Sequence, residues 1–100
     1  MRSELKDKIN ELGIYTPFMD DFVESYYLGV LIEKLDSSIT VTEKKTGEKE
    51  EYFLTIKCED YRWSVYYSNG KNKVLDATED WLIDAVVDVL LKFKNFKPVE

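Results

Sequence analysis

A row of carboxylates is the most regular arrangement of reactive side chains in this sequence. Asp80, Asp84 and Asp88 stand four residues apart, and Lys92 continues the series. Residues four apart are neighbours on one face of an α-helix, where like charges destabilise the helix by roughly 0.2–0.5 kcal/mol per pair. We therefore predict positive charge beside this acidic ridge (Asp80, Asp84 and Asp88). The candidates are the chain's own lysines, the Lys and Arg side chains of a partner protein, and a hard cation such as Mg²⁺.

Aromatic and basic side chains form a second pattern, on the predicted outer face of a β-sheet. Phe53 and Tyr66 are expected opposite each other on this face, with Lys57, Arg62 and Lys73 around them. Several domains stack single-stranded bases on aromatic rings interleaved with cations in this way. The same surface suits contact with another protein, unless the rings form ordinary cross-strand pairs or lie under a further helix.

Residues needed for the common catalytic mechanisms are missing. The sequence has no histidine, which excludes Ser-His and Cys-His catalysis and most zinc sites. Cys58 is the single cysteine, and the glycines at 13, 29, 47 and 70 are too isolated to form a phosphate-binding loop. A hydrolase with paired carboxylates would need a cleft, which one small sheet with three helices rarely forms. We predict a noncatalytic protein with no resident metal or cofactor.

Length and composition indicate one folded domain over residues 1–100. Apolar residues make up 44% of the chain and aromatic residues 14%, which is ample for a core. The net charge of −6 disfavours nucleic acid and anionic membranes at long range, and it favours a basic partner. One cysteine cannot form an internal disulfide, and we see neither a secretory signal nor an apolar run near the roughly 20 residues of a membrane span, so we expect a cytoplasmic protein. Lysine outnumbers arginine twelve to two, which is typical of bacterial or phage genes rich in A and T.

The acidic ridge belongs to a predicted helix over residues 76–93 that is apolar on most of its circumference. Asp76 is expected to cap its first turn, with Glu79 three residues later as the second member of a capping box. Nearly all other residues from 81 to 93 are apolar, whereas a surface helix normally carries only an apolar stripe. We therefore expect most of the helix to be covered, by its own chain or by a second copy in a homodimer.

A four-stranded antiparallel meander is predicted over residues 38–75. Apolar and polar residues alternate there, and the strands are separated by turn signals at residues 46–47, 59–60 and 69–70. Two-residue loops at these points pair Ile39 with Leu54, Leu54 with Val65, and Val65 with Val74. These registers agree on one helix-facing set, which comprises Ile39, Val41, Leu54, Ile56, Trp63, Val65 and Val74.

Two N-terminal helices complete the predicted fold. Residues 3–12 carry an apolar stripe behind Ser3 as a cap, and residues 16–35 begin with Thr16 and Pro17, a typical helix start. The apolar stripe of the second helix slips after Leu28. Residues 30–35 therefore either continue the helix, with its apolar face rotated at Gly29, or form a strand. We favour the helix because residues 33–35 are good helix formers.

These patterns together predict an α+β fold and a function in binding. We predict a small noncatalytic module that binds another protein with a basic surface, in the manner of inhibitors, immunity proteins or modulators encoded by phages and mobile elements. The alternative is a single-stranded nucleic-acid-binding module that uses the outer face. The predicted partner-binding residues are Asp80, Asp84, Asp88, Phe53, Tyr66, Arg62 and Lys73.

Overall fold

The computed structural model describes residues 2–13 and 24–95, where three helices pack on one side of a four-stranded sheet. The α+β class predicted from the sequence is confirmed. No helix within these ranges is both long and apolar enough to cross a membrane. The elements in chain order are α1 (Ser3–Glu11), α2 (Glu24–Glu33), β1 (Ser38–Thr42), β2 (Lys49–Glu59), β3 (Arg62–Ser68), β4 (Lys73–Glu79) and α3 (Leu82–Asn95).

The sheet is an antiparallel meander in the order β1-β2-β3-β4, as the alternation of apolar and polar residues predicted. Its registers differ from the predicted ones. Ile39 pairs with Tyr52 rather than with Leu54, and Leu54 pairs with Tyr67 rather than with Val65. Both are shifts of two residues. Because side chains alternate between the faces with a period of two, such a shift leaves the side chains of β1, β2 and β3 on their predicted faces.

The loops account for the shifted registers. β2 and β3 are joined by Asp60 and Tyr61, one residue later than predicted, and both have positive φ (50° and 63°), as in type I′ hairpins. The loop between β3 and β4 has four residues instead of two. The Asn69 side chain holds this loop by accepting hydrogen bonds from the backbone N–H groups of Lys71 and Asn72, at 2.9 and 2.7 Å.

The boundary between β4 and α3 also differs from the prediction. The strand runs to Glu79 and the helix begins only at residue 82, so the predicted cap at Asp76 and its capping box with Glu79 are wrong. Ala77 pairs with Val65 in the sheet, beyond a β-bulge at which Leu75 has a φ of 57°. This segment finds its backbone partners in β3, and that tertiary pairing overrides the local capping signal.

The N-terminal helices agree with the prediction in kind but not in every boundary. α2 is helical to Glu33, so the alternative of a strand over residues 30–35 is wrong. The predicted start of this helix at residue 16 lies outside the described residues. α1 begins at Ser3, after an extended Arg2, and no side chain caps it, so Ser3 is the first helical residue rather than the cap.

α3 lies at the centre of the hydrophobic core. It contacts β3, β4, α1 and α2, which cover most of its circumference with residues of the same chain. Within the described ranges, no polar or charged residue is buried. The buried residues of α3 are Ile83, Ala85, Val86, Val87 and Val89, and those of the sheet in the same cluster are Tyr52, Val65, Tyr67 and Ala77.

The core is displaced along the strands relative to the prediction. Ile56 and Trp63 were expected inside, but Ile56 is 37% exposed and Trp63 is only half-buried. Tyr52 and Tyr67 are buried instead. The register shifts explain the change, because they move the well-covered part of the helix-facing side away from the turn between β2 and β3.

Candidate functional site

The acidic ridge lies partly against α1, where cations of the same chain compensate it. Asp84 accepts a hydrogen bond from Arg2 at 2.7 Å, and Asp88 accepts one from Lys8 at 2.8 Å. The two carboxylate side chains are only 14% and 18% exposed. Lys92, which the spacing placed on the ridge, instead contacts a backbone carbonyl oxygen of β4. α1 therefore occupies the position that a basic partner was predicted to take at these two residues.

Asp80 is set apart from the other two carboxylates by the late start of α3. It lies between β4 and the helix, and its side chain is 76% exposed. The Nε atom of Arg62 donates a hydrogen bond to it at 3.2 Å. Because residue 80 is not helical, the spacing of four does not place Asp80 above Asp84 on one helical face.

Glu79 belongs to the same group of charges, although no sequence pattern assigned it there. A hydrogen bond shared with Asp88, together with burial, raises the pKa of the Glu79 carboxyl above its ordinary value. The Asp88 carboxylate also raises the pKa of Lys8 through their hydrogen bond, so that the ammonium keeps its charge. The signal that would have revealed Glu79 is the continued alternation of β4, in which Ala77 and Glu79 share the helix-facing side.

The outer face presents Phe53 and Tyr66 in different environments. Phe53 is 54% exposed, whereas Tyr66 is buried and lies outside the core cluster. The Nζ atom of Lys73 is 4.3 Å from the centroid of the Tyr66 ring, a cation–π contact worth about 0.5–2 kcal/mol. Tyr66 pairs with Thr55 instead of the predicted Phe53, which becomes its diagonal neighbour. Of the two rings, that of Phe53 is the one open to a partner.

The other basic residues of the outer face are balanced by carboxylates. The Nζ atom of Lys57 is 2.6 Å from the carboxylate of Glu59. Their hydrogen bond raises the pKa of Lys57 and lowers that of Glu59. Arg62 is paired with Asp80. These two cations therefore do not add uncompensated positive charge to the face, which a phosphate-binding surface would need.

The seven predicted partner-binding residues are divided between two surfaces of the molecule. Asp84 and Asp88 lie in the helical layer, and Phe53, Tyr66 and Lys73 lie on the outer face. The remaining two, Arg62 and Asp80, contact each other where β4 ends and α3 begins. Over residues 2–13 and 24–95, no three Cys, Asp or Glu side chains are arranged to hold a metal ion.

Two further aromatic residues, each more than half exposed, were not predicted as surface features. Tyr61 is 95% exposed in the turn between β2 and β3, and Trp81 is 63% exposed just before α3. The Arg2 guanidinium lies 5.9 Å from the centroid of the Trp81 ring. Trp81 was expected on the apolar circumference of a helix from residue 76, and the true helix start leaves it outside that packing.

Comparison with known proteins adds no functional assignment. The chain matches no protein-family model, no curated protein aligns with it significantly, and no solved structure resembles it significantly. Its function must therefore be inferred from the geometry of its own surfaces.

Proposed function

We propose that this chain is a small noncatalytic module that binds another protein through its outer face, in the cytoplasm. The observation that carries this proposal is the 54% exposure of Phe53 on the side of the sheet away from the helices. Its neighbours on the adjacent strands are Ser38 and Ser68, whose small side chains leave the ring protruding. Aromatic residues, Phe among them, are enriched in protein interfaces relative to the rest of the surface.

The acidic ridge is the weaker candidate for the interface. Asp84 and Asp88 already accept hydrogen bonds from Arg2 and Lys8. A basic partner would have to displace these two contacts and would only replace one ion pair by another, which offers little net gain. The ridge is better explained as the means by which α1 is held on α3.

The chemistry of the partner follows from two properties of the chain. The net charge of −6 favours association with a protein that has a basic surface. At the point of contact, the exposed Phe53 ring requires an apolar recess. Single-stranded nucleic acid fits less well, because Tyr66 is buried and Lys57 is paired with Glu59.

Photo-crosslinking in a lysate of the source organism tests the proposal. A photo-reactive amino acid at position 55 lies beside Phe53 on the outer face. We expect a discrete protein to be crosslinked, and we expect Phe53→Ala to reduce the yield by about tenfold or more, as for an interface anchor. Tyr61→Ala removes an exposed aromatic ring outside the face and should leave the yield unchanged. Circular dichroism of each variant checks that it is folded.

Equal crosslinking of the wild type and Phe53→Ala would contradict the proposal. Titration with oligonucleotides at two salt concentrations tests the alternative function. Salt-dependent binding that is lost in Tyr66→Ala and Lys73→Glu would replace the protein partner by single-stranded nucleic acid. If affinity capture of the partner from the lysate is lost in the folded variant Asp84→Lys and kept in Phe53→Ala, the interface is the acidic ridge.

A further inference from the structure

β1 covers only the first part of β2, the strand beside it. β2 runs over Lys49–Glu59, whereas its pairing with β1 extends only from Lys49 to Phe53. On its other side, β2 pairs with β3 as far as Glu59, in a single register without a shift. Residues 55–59 of β2 are therefore paired on one side only. We call their unpaired side the open edge.

The backbone groups that face the open edge belong to Ile56 and Cys58. The N–H group of Leu54 donates to the backbone carbonyl oxygen of Ser37 at 2.9 Å, so the backbone groups of Leu54 point towards β1. In an antiparallel strand this direction alternates from one residue to the next, and it therefore recurs at residues 56 and 58. Within residues 2–13 and 24–95, no group forms a hydrogen bond with these two N–H and two C=O groups.

The chain does not cover the open edge itself, because it enters β1 from the helix-facing side of the sheet. The hydroxyl of the buried Tyr67 donates to the backbone carbonyl oxygen of Asp36 at 2.6 Å. This contact takes the residues before β1 out of the line of that strand. The last four residues of β2, Ile56–Glu59, are all exposed as a result.

The open edge also lacks the features that protect sheet edges from a further strand. Along residues 55–59 the register with β3 has no bulge, and the helix-facing side has no Lys, Arg, Asp or Glu. Lys57 lies on the outer face, where the Glu59 carboxylate balances its charge at 2.6 Å. By contrast, the free edge of β4 is interrupted by a β-bulge, at which Leu75 has a φ of 57°. A regular, unprotected edge is a template for another strand.

We propose that the open edge binds an extended segment of another protein, which lies antiparallel to β2 and in line with β1. The two residues of the segment opposite Ile56 and Cys58 exchange a pair of hydrogen bonds with each of them. This binding does not rest on the proposed role of Phe53, because backbone groups rather than that ring supply the contacts.

The side chains of β2 define the chemistry of the bound segment. On the helix-facing side it meets Ile56, which is 37% exposed, and Cys58, which pairs with the half-buried Trp63, so apolar residues fit there. On the outer face an acidic residue fits opposite Lys57 and a basic one opposite Glu59. The preferred segment therefore alternates in the order basic, apolar, acidic, apolar.

Hydrogen exchange measured by NMR tests the proposal on the full chain with the peptide acetyl-Lys-Val-Glu-Val-Thr-amide. The five residues of this peptide pair in order with residues 59 to 55. We expect the peptide to slow exchange of the Ile56 and Cys58 amides by about fivefold or more. The Lys57 amide should not change, because Lys57 faces β3, where it pairs with Ser64.

Methylation of the peptide backbone provides a matched control. In the proposed arrangement the N–H groups of the two valines face β2, so methylating either nitrogen should weaken binding by about tenfold or more. The N–H group of the glutamate faces away from β2. Methylating that nitrogen should leave the Kd within about twofold of the unmodified peptide.

The double variant Lys57→Glu, Glu59→Lys tests the sequence preference, because it keeps the ion pair within β2 and reverses both charges. It should bind the first peptide about threefold more weakly and should prefer acetyl-Glu-Val-Lys-Val-Thr-amide. Unchanged exchange at Ile56 and Cys58, equal losses from both kinds of methylation, or protection at Thr40 on the outer edge of β1 would overturn the proposal. Protection that arises without peptide as the protein concentration rises would also overturn it, in favour of a second copy of the chain.

Discussion

Tyr67 joins the core to the segment between α2 and β1 through a single hydrogen bond. Its side chain is fully buried, and its hydroxyl donates to the backbone carbonyl oxygen of Asp36 at 2.6 Å. We predict that Tyr67→Phe lowers the free energy of unfolding by about 1–2 kcal/mol, because it leaves that carbonyl unpaired. Urea unfolding measures the difference. Tyr61→Phe, at a 95% exposed residue, is the control, and an equal loss in both variants would contradict this role for Tyr67.

The same hydroxyl makes the folded state sensitive to high pH. Burial, with a contribution from the charge of Asp36, raises the pKa of Tyr67 to about 12, from 10.0. The protonated phenol is therefore favoured by folding. Its contribution to stability is fully present below the ordinary pKa and is lost as the pH rises from about 10 to about 12.

Glu79 makes the stability of the folded state depend on pH in the acidic range as well. Its pKa is raised from 4.5, because a hydrogen bond with Asp88 and burial favour the protonated carboxyl, while Asp84 adds repulsion and Lys8 opposes the shift. A raised pKa means that this stabilisation is complete below the unfolded pKa and is lost as the pH rises through the folded pKa. Once the pH has passed the folded pKa of Glu79, its carboxylate faces that of Asp88 between β4 and α3.

Glu79→Gln should therefore stabilise the protein near pH 7. The amide still donates a hydrogen bond to Asp88 and carries no charge, so we expect a gain of about 0.5 kcal/mol that shrinks towards pH 4. Thermal unfolding at the two pH values measures it. Glu59→Gln is the control, because the pKa of Glu59 is lowered by Lys57 and its neutralisation should bring no gain. A gain at pH 4 as large as at pH 7 would rule out the proposed cause.

At the scale of elements, α1 is attached to α3 by apolar packing and by the ion pairs of the acidic ridge. Lys8 and Asp88 form a partly buried pair, with side-chain exposures of 38% and 18%. We predict a coupling of about 0.5–1 kcal/mol in a double-mutant cycle with Lys8→Gln and Asp88→Asn. The Arg62–Asp80 pair, exposed by 56% and 76%, should show a coupling below about 0.3 kcal/mol.

The two cycles test whether the acidic ridge serves to hold α1 on α3 or is available to a partner protein. A coupling near zero for Lys8 and Asp88 would show that α1 does not depend on this carboxylate, and the acidic ridge would again be available to a partner. Added salt should reduce the exposed Arg62–Asp80 coupling more than the partly buried Lys8–Asp88 coupling. Urea unfolding at each fixed salt concentration measures both cycles, because urea is uncharged and does not change the ionic strength.

The strand order and the faces of the sheet were predictable because they depend on an alternation that covers many residues. The registers were not, because each was deduced from a single turn signal. At Asn69 the side chain accepts two backbone hydrogen bonds and creates a four-residue loop. A local sequence signal could not distinguish that loop from a two-residue Asn-Gly turn.

The start of α3 and the partners of the candidate site residues could not be predicted from the sequence, because both depend on tertiary contacts. Asp76 and Glu79 have the spacing of a capping box, but the pairing of β4 with β3 takes both into the sheet. The partners of Asp84 and Asp88 lie about 80 residues away in the chain, at the start of α1 and within it, so spacing within α3 could not reveal them. Phe53 was correctly placed on the outer face because that placement requires only the alternation of β2.

At the scale of the whole molecule, the distribution of apolar surface decides how many copies of the chain associate. The sequence predicted that α3 had more apolar circumference than one sheet could cover, and a homodimer was the suggested remedy. In the structure the sheet, α1 and α2 all contact α3, and Ala85, Val86, Val87 and Val89 are completely buried within one chain. The reason for proposing a homodimer at this helix is thereby removed.

We therefore predict a monomer in solution. Light scattering should give a mass of 11.8 kDa at every concentration, and the Tm should not depend on concentration, since association would raise it by mass action. A mass that doubles with concentration would contradict this prediction, and Phe53→Ala then locates the contact. If that variant restores the monomer, the outer face binds a second copy of the chain. If it does not, the contact between the two copies lies elsewhere on the molecule.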